Sequence, residues 1–98
     1  IRKNMNQELN NRDRKNLRKL AHSLKPIVMI GQHGVTAAVM SEIEVALIAH
    51  ELIKIRVRGF EREERRAKVE EIAKKLDAEI VSMIGGVVTM YREISETD

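Results

Sequence analysis

The sequence predicts a single small α/β domain of order α-β-α-β-α-β-β, closed around a mixed four-stranded sheet. Three observations carry this. Apolar residues recur at helical spacing in three separate stretches. Between those stretches lie an unbroken apolar run, Ile27 to Ile30, and an alternating one, Ile53 to Arg58. Two further apolar runs flank Gly85-Gly86, the pattern of a tight hairpin. Two successive β-α-β units imply parallel strands with right-handed crossovers, and the hairpin adds an antiparallel strand.

Taken in order, residues 1–10 are polar and are expected to be a flexible terminus, as are 93–98. Met5 is a candidate native start, which would make Ile1 to Asn4 an extension. The domain is placed at 11–92. The first helix begins near Asn11, with Asn11 or Asp13 as cap, and buries Leu17, Leu20, Ala21 and Leu24. Arg14, Lys15, Arg18 and Lys19 fall largely off that stripe and are expected to face water. Pro26 ends the helix at Lys25. Ile27 to Ile30 then reads as a strand buried on both faces.

Gly31-Gln32-His33-Gly34 follows as a tight Gly-x-x-Gly loop, and Thr36 is the expected N-cap of a second helix running to Ala49. Val35, Val39, Ile43, Ala46, Leu47 and His50 form that helix's buried stripe, with His50 read as a dipole partner and not a ligand. Leu52 to Arg58 is a strand with Ile53, Ile55 and Val57 on one face and Lys54, Arg56 and Arg58 on the other. The third helix, 61–76, buries Val69, Ile72, Ala73 and Leu76. Its pairs Glu61/Arg65, Glu64/Lys68, Glu70/Lys74 and Glu71/Lys75 make its charged surface self-paired. Glu79 to Ile84 and Val87 to Arg92 form the hairpin.

Composition narrows the function. Hydrophobic residues are 43% of the chain but aromatics only 2%, so the core is aliphatic and stacking surfaces are scarce. There is no Cys, which excludes disulfides and thiolate metal sites. No apolar run approaches the roughly 18 residues of a membrane span and no signal-peptide core is present, so a soluble cytoplasmic protein is expected. Charge is unevenly spread. Residues 1–25 hold eight basic and two acidic residues, a net of +6, whereas 26–98 hold ten basic and thirteen acidic, a net of −3. A local basic field of this kind attracts a polyanion.

Catalytic signals are absent. His22, His33 and His50 have no metal-site spacing, there is no nucleophile elbow, and Gly31 to Gly34 lacks the Lys-Ser/Thr ending of a phosphate-binding P-loop. No enzyme activity, cofactor, metal or small-molecule substrate is expected. What remains is a glycine loop opening a helix, where free amides favour anions, together with a basic first helix and a cationic strand face. The loop reads either as a plain strand-to-helix turn or as a phosphate contact.

The stretch Leu20 to Thr36, followed by His50-Glu51-Leu52-Ile53-Lys54 and by Ile84-Gly85 through Tyr91-Arg92, closely resembles the CRM domain, in its small stand-alone bacterial YhbY form. The resemblance covers about residues 11 to 92. It implies an RNA-binding module of KH-like architecture, similar to the C-terminal domain of translation initiation factor three. It also implies association with ribosomal RNA in precursors of the large (50S) ribosomal subunit and a role in ribosome assembly. By the resemblance, Gly31, Gln32, His33 and Gly34 form the RNA-contacting loop. Lys25, Lys54, Arg56 and Arg92, with Arg14, Arg18 and Lys19 of the first helix, are candidate phosphate contacts inferred from charge. Two departures stand out: the loop interior is Gln32-His33 where many members carry Lys, and position 86 is Gly where a polar or basic residue is common. His33 is either a phosphate contact that strengthens with protonation or a neutral loop residue, and Tyr91 either stacks a base or packs on the sheet. A monomer that binds RNA is the expectation. The alternative is a protein-interaction module whose third-helix charges dock a ribosomal protein or assembly factor.

Overall fold

The computed structural model describes residues 9–94. The expectations for residues 1–8, including the start at Met5, and for 95–98 lie outside them. The elements are α1 (Asn11–Ala21), β1 (Pro26–Ile30), α2 (Ala37–His50), β2 (Leu52–Val57), α3 (Arg62–Leu76), β3 (Glu79–Ile84) and β4 (Val87–Tyr91), the predicted order. The sheet order is β1-β2-β4-β3, with β1 and β2 parallel and both pairs involving β4 antiparallel.

The strand alternation divides the side chains between two layers. Val28, Ile30, Ile53, Ile55, Val57, Val88 and Met90 face α2 and α3, where they meet Ile43, Leu47, Val69 and Ile72 in the main core. On the other face, α1 crosses only one end of the sheet. There Leu17 packs with Leu9, Val81 and Tyr91 in a smaller cluster. Leu9 is only 6% exposed and packs into this cluster two residues before α1 begins. A leucine able to cover an otherwise open patch of Val81 and Tyr91 removes apolar area from water whatever the polarity of its neighbours.

Several local expectations are corrected. Asn10, not Asn11 or Asp13, caps α1, accepting the Asp13 amide at 2.8 Å. Leu20 is 62% exposed and Leu24 is also exposed: α1 buries only Leu17 and Ala21, and it ends at Ala21, before Leu24. β1 is an edge strand: Val28 and Ile30 are buried while Ile27 and Met29 stand out on the uncovered face. An edge position also accommodates Pro26, which has no N–H to give to a ladder. His50 is exposed at the end of α2. On α3, Lys75 pairs with Glu71 at 3.2 Å, but Glu70 turns to Arg66 at 3.7 Å. Among the described residues, Arg65 and Lys68 form no ion pair with the expected glutamates. Lys68 lies 5.5 Å over the Phe60 ring instead. Asp77 closes α3 in the left-handed conformation, with the Ala78 amide donating to the Ala73 carbonyl.

Three turns meet at one end of the sheet. The Arg58 amide donates to the Ile30 carbonyl at 2.9 Å, which ties the glycine loop to the end of β2. The Val57 amide donates to the Gly86 carbonyl at 2.7 Å, which ties the hairpin tip to the same place.

Candidate nucleic-acid interface

Gly31 to Gly34 closes as a turn in which the Gly34 amide donates to the Gly31 carbonyl at 2.9 Å. Gly34 has φ +72, a conformation that L side chains rarely adopt, so this glycine has a backbone reason to be there. A Cβ on Gly34 would also touch the Phe60 ring at 3.6 Å. Gly31 has neither constraint: its φ is ordinary and a Cβ there would meet nothing within 4 Å. Its openness leaves the backbone accessible. Gln32 and His33 project from the turn and are exposed. Thr36 caps α2 as expected, its hydroxyl accepting the Val39 amide at 3.1 Å, so the first amides of a fourteen-residue helix begin at Ala37, three residues past Gly34.

Strand pairing sets the rest of the surface as a grid. Met29, Arg56, Val87 and Ile84 lie in one rung across β1, β2, β4 and β3. Lys54, Thr89 and Ser82 lie in the rung farther from the loop. Cross-strand partners share a face, so both rungs lie on the face opposite α2 and α3; the first is open, whereas in the second Thr89 is only 3% exposed beside the end of α1. The next rung, Leu52 with Tyr91, is where α1 packs. Lys54 and Arg56 are therefore about 6.6 Å apart along β2 and climb toward the loop, where Arg58 continues the row just past the strand. From the helix side, Arg18, Ala21 and His22 wall a groove of about 420 Å³ whose floor is Lys54, Thr89, Ser82, Val87 and Ile84. Lys25 enters the same face beside Ile27, Met29 and Arg56. Lys19 is exposed on α1.

The structure thus brings together the loop, Lys25, Lys54, Arg56 and Arg18, and it separates two other candidates from them. Arg14 donates to the Ile80 carbonyl at 2.6 Å and lies 3.9 Å from Glu79, so its guanidinium fixes α1 to β3 and does not face water as expected. Arg92 is held in a two-pronged pair with Glu44, both contacts 2.8 Å, and donates as well to the Leu76 carbonyl at 3.0 Å. It ties β4 to α2 and to the end of α3, away from the glycine loop. Tyr91 is 3% exposed inside the smaller cluster, and burial first, then the carboxylates of Glu51, Glu93 and Asp13, push its phenol up. It is a packing residue and offers no stacking surface.

The Arg92 hydrogen bonds, and secondarily its charge, hold the Glu44 carboxyl below its ordinary value of 4.5. A depressed folded value means the pair stabilises the fold above the unfolded pKa, and the contribution is lost as pH falls through the folded one. Arg92→Gln should cost about 1–2 kcal/mol near pH 7, discounted because the Glu44 side chain is 39% exposed. The difference from wild type should shrink below about pH 4. Urea titrations at pH 7 and pH 3.5 read it, and an equal deficit at both would rule the ion pair out as the cause.

Sequence reading missed the floor of the groove. Ser82, Ile84, Val87 and Thr89 look like ordinary hairpin residues, and only the cross-strand register sets them beside Lys54 and Arg56. The period-two alternation of β4 was a usable signal, since Val87, Thr89 and Tyr91 share a face.

Fold and site together define a small α/β module presenting a glycine loop and a cation-lined sheet face. The CRS1 / YhbY (CRM) domain model matches residues 9–92, and the chain belongs to that family. It is 40% identical over 88 residues to an RNA-binding protein of Haemophilus influenzae, covering 90% of this chain and 89% of that one. It is 34% identical over 85 residues to a protein of Pseudomonas aeruginosa named a probable RNA-binding protein, covering 87% and 82%. The solution structure of a Staphylococcus aureus protein described as a candidate RNA-binding protein superposes with a TM-score of 0.79 at 30% identity, covering 93% of this chain and 95% of that one.

Proposed function

We propose that this chain is a non-catalytic, cytoplasmic, monomeric RNA-binding protein whose ligand is ribosomal RNA in a precursor of the large ribosomal subunit. The glycine loop and the Lys54/Arg56 row form the contact surface. The observation that carries this reading is the placement of an open glycine turn, followed by a capped helix start, at the head of a row of cations on one sheet face. Backbone amides at the turn would position a phosphate, and Lys25, Lys54, Arg56 and Arg18 would supply the salt-dependent attraction. RNA as the polyanion rests on the names of the relatives, and the ribosomal target rests on the family resemblance. Among the described residues no helix is long and apolar enough to cross a membrane.

Gly31→Asp is the cleanest test. Position 31 accepts a Cβ without collision, so the added carboxylate acts on the ligand and not on the fold. Affinity for ribosomal RNA fragments should fall at least about tenfold, as one opposed charge-assisted contact implies, with the melting temperature unchanged. Unchanged affinity in a folded variant would reduce the loop to a turn.

One observation favours a second reading. Val45 is 62% and Ile48 55% exposed on the outer side of α2, an apolar face suited to a protein partner. Such a contact would hold its affinity between 50 and 200 mM salt, where six phosphate contacts lose about a thousandfold.

A further inference from the structure

We infer that the groove between α1 and the open half of the sheet holds one unstacked nucleobase, so the RNA engaged at this surface is single-stranded at that point. The inference rests on the RNA-binding reading and specifies its ligand.

The groove, about 420 Å³, falls within the range of small-ligand sites, where a mostly apolar lining carries a few placed polar groups. Its chemistry is graded. Ile84 is 75% exposed and sits with Val87 at the loop end of the floor, giving an aliphatic plate with no structural role in either core cluster. Thr89 and Ser82 are cross-strand partners in the next rung, two hydroxyls that can each donate and accept; Ser82 is half-buried and Thr89 only 3% exposed, so Ser82 is the more accessible of the two. Lys54, partner of Thr89 on the other side, and Arg18 on the helix wall put two cations at the rim. A base lying on Val87 and Ile84 would present its polar edge to the hydroxyls, while its phosphate would lie between Arg18 and Lys54. Hydroxyls that reverse their donor and acceptor roles accept the edge of any base, so selection should be for strandedness more than for sequence. A duplex keeps its bases stacked and cannot place one here. The scarcity of aromatics fits the same picture: with Tyr91 buried and Phe60 under Lys68, the exposed floor of this sheet is aliphatic.

The test compares wild type with Ser82→Phe and Ile84→Ser. Phenylalanine on edge strand β3 suits the strand and fills the groove from its floor. Ile84 is so exposed that its replacement leaves both cores intact. Affinity for a single-stranded oligoribonucleotide should fall about tenfold in Ser82→Phe, the loss of one base contact, while affinity for an RNA duplex of equal length stays within twofold. Ile84→Ser should show the same selective loss at smaller size, and it decides the matter if Ser82→Phe does not fold. In wild type, adenosine monophosphate should shift the methyl resonances of Val87 and Ile84, and inorganic phosphate at the same concentration should not. Equal shifts from phosphate alone, or equal losses on single strand and duplex in the folded variants, would overturn the inference. Gly31→Asp, run in parallel, separates the two levels. If it loses binding while the groove variants keep theirs, the backbone-binding reading survives without the base site.

Discussion

Lys54→Glu with Arg56→Glu is expected to weaken RNA binding about a hundredfold at 0.1 M salt without unfolding the protein. The size follows from counterion release: each phosphate neutralised on a single strand contributes a slope of about 0.7 in log affinity against log salt. Losing two contacts costs about 25-fold at 0.1 M relative to 1 M, and replacing attraction by repulsion carries the effect further. Both side chains are partly exposed on the face that α1 leaves open, and among the described residues neither has an ion-pair partner whose loss would destabilise the fold. The neutral pair Lys54→Gln with Arg56→Gln should give about 25-fold and lower the salt slope by about 1.4. Arg92→Gln is the contrasting case, since it also removes a positive charge, one against the two lost in the Gln pair, but lowers stability and leaves the affinity of the folded protein within twofold. Filter binding or fluorescence anisotropy at several salt concentrations reads all three. A slope unchanged in the double variant would place the phosphate contacts elsewhere on the chain.

The fold was legible because its strongest signals are local. The alternation of Ile53, Ile55 and Val57 with Lys54 and Arg56 needs only a strand's period of two, and the cap at Thr36 needs only one hydroxyl. What stayed hidden depends on partners distant in sequence. Ile27 to Ile30 reads as a doubly covered strand, yet Ile27 and Met29 are exposed because nothing packs on that face of the sheet at β1, and which face is covered is a property of the tertiary packing. Leu20 and Leu24 complete a helical stripe on paper, but α1 stops at Ala21 and buries only Leu17 and Ala21. The candidate site divides in the same way. Loop, Lys54 and Arg56 follow one another along the chain and could be read from it. Arg14 and Arg92 carry the right charge, but Glu79 with the Ile80 carbonyl engages the first and Glu44 the second, and nothing local announces those partners.

Gly86→Ala should be the most damaging single-methyl change in the chain. An ideal Cβ at this position would lie 2.7 Å from the Val57 carbonyl oxygen, closer than Cβ atoms approach in proteins. The obstacle is backbone, so no side chain can swing aside. The hairpin tip cannot simply lift away either, because the Val57 amide donates to the Gly86 carbonyl in the same contact at 2.7 Å. Relief therefore requires breaking that bond or shifting the end of β2, whose Val57 is buried in the main core. Overpacking of this kind costs about 2–3 kcal/mol, which for a domain of this size lowers the melting temperature by about 10–20 °C. Gly85→Asn is the control. Gly85 has φ +60 with open space around its Cβ, and Asn tolerates that conformation, so its cost should stay below about 1 kcal/mol. The two neighbouring glycines are thus present for different reasons, one for its dihedral angle and one for the space it leaves. Thermal melts of the two variants decide between these readings: near-equal melting temperatures would mean that the tip relaxes freely and that the contact with Val57 does not hold the hairpin.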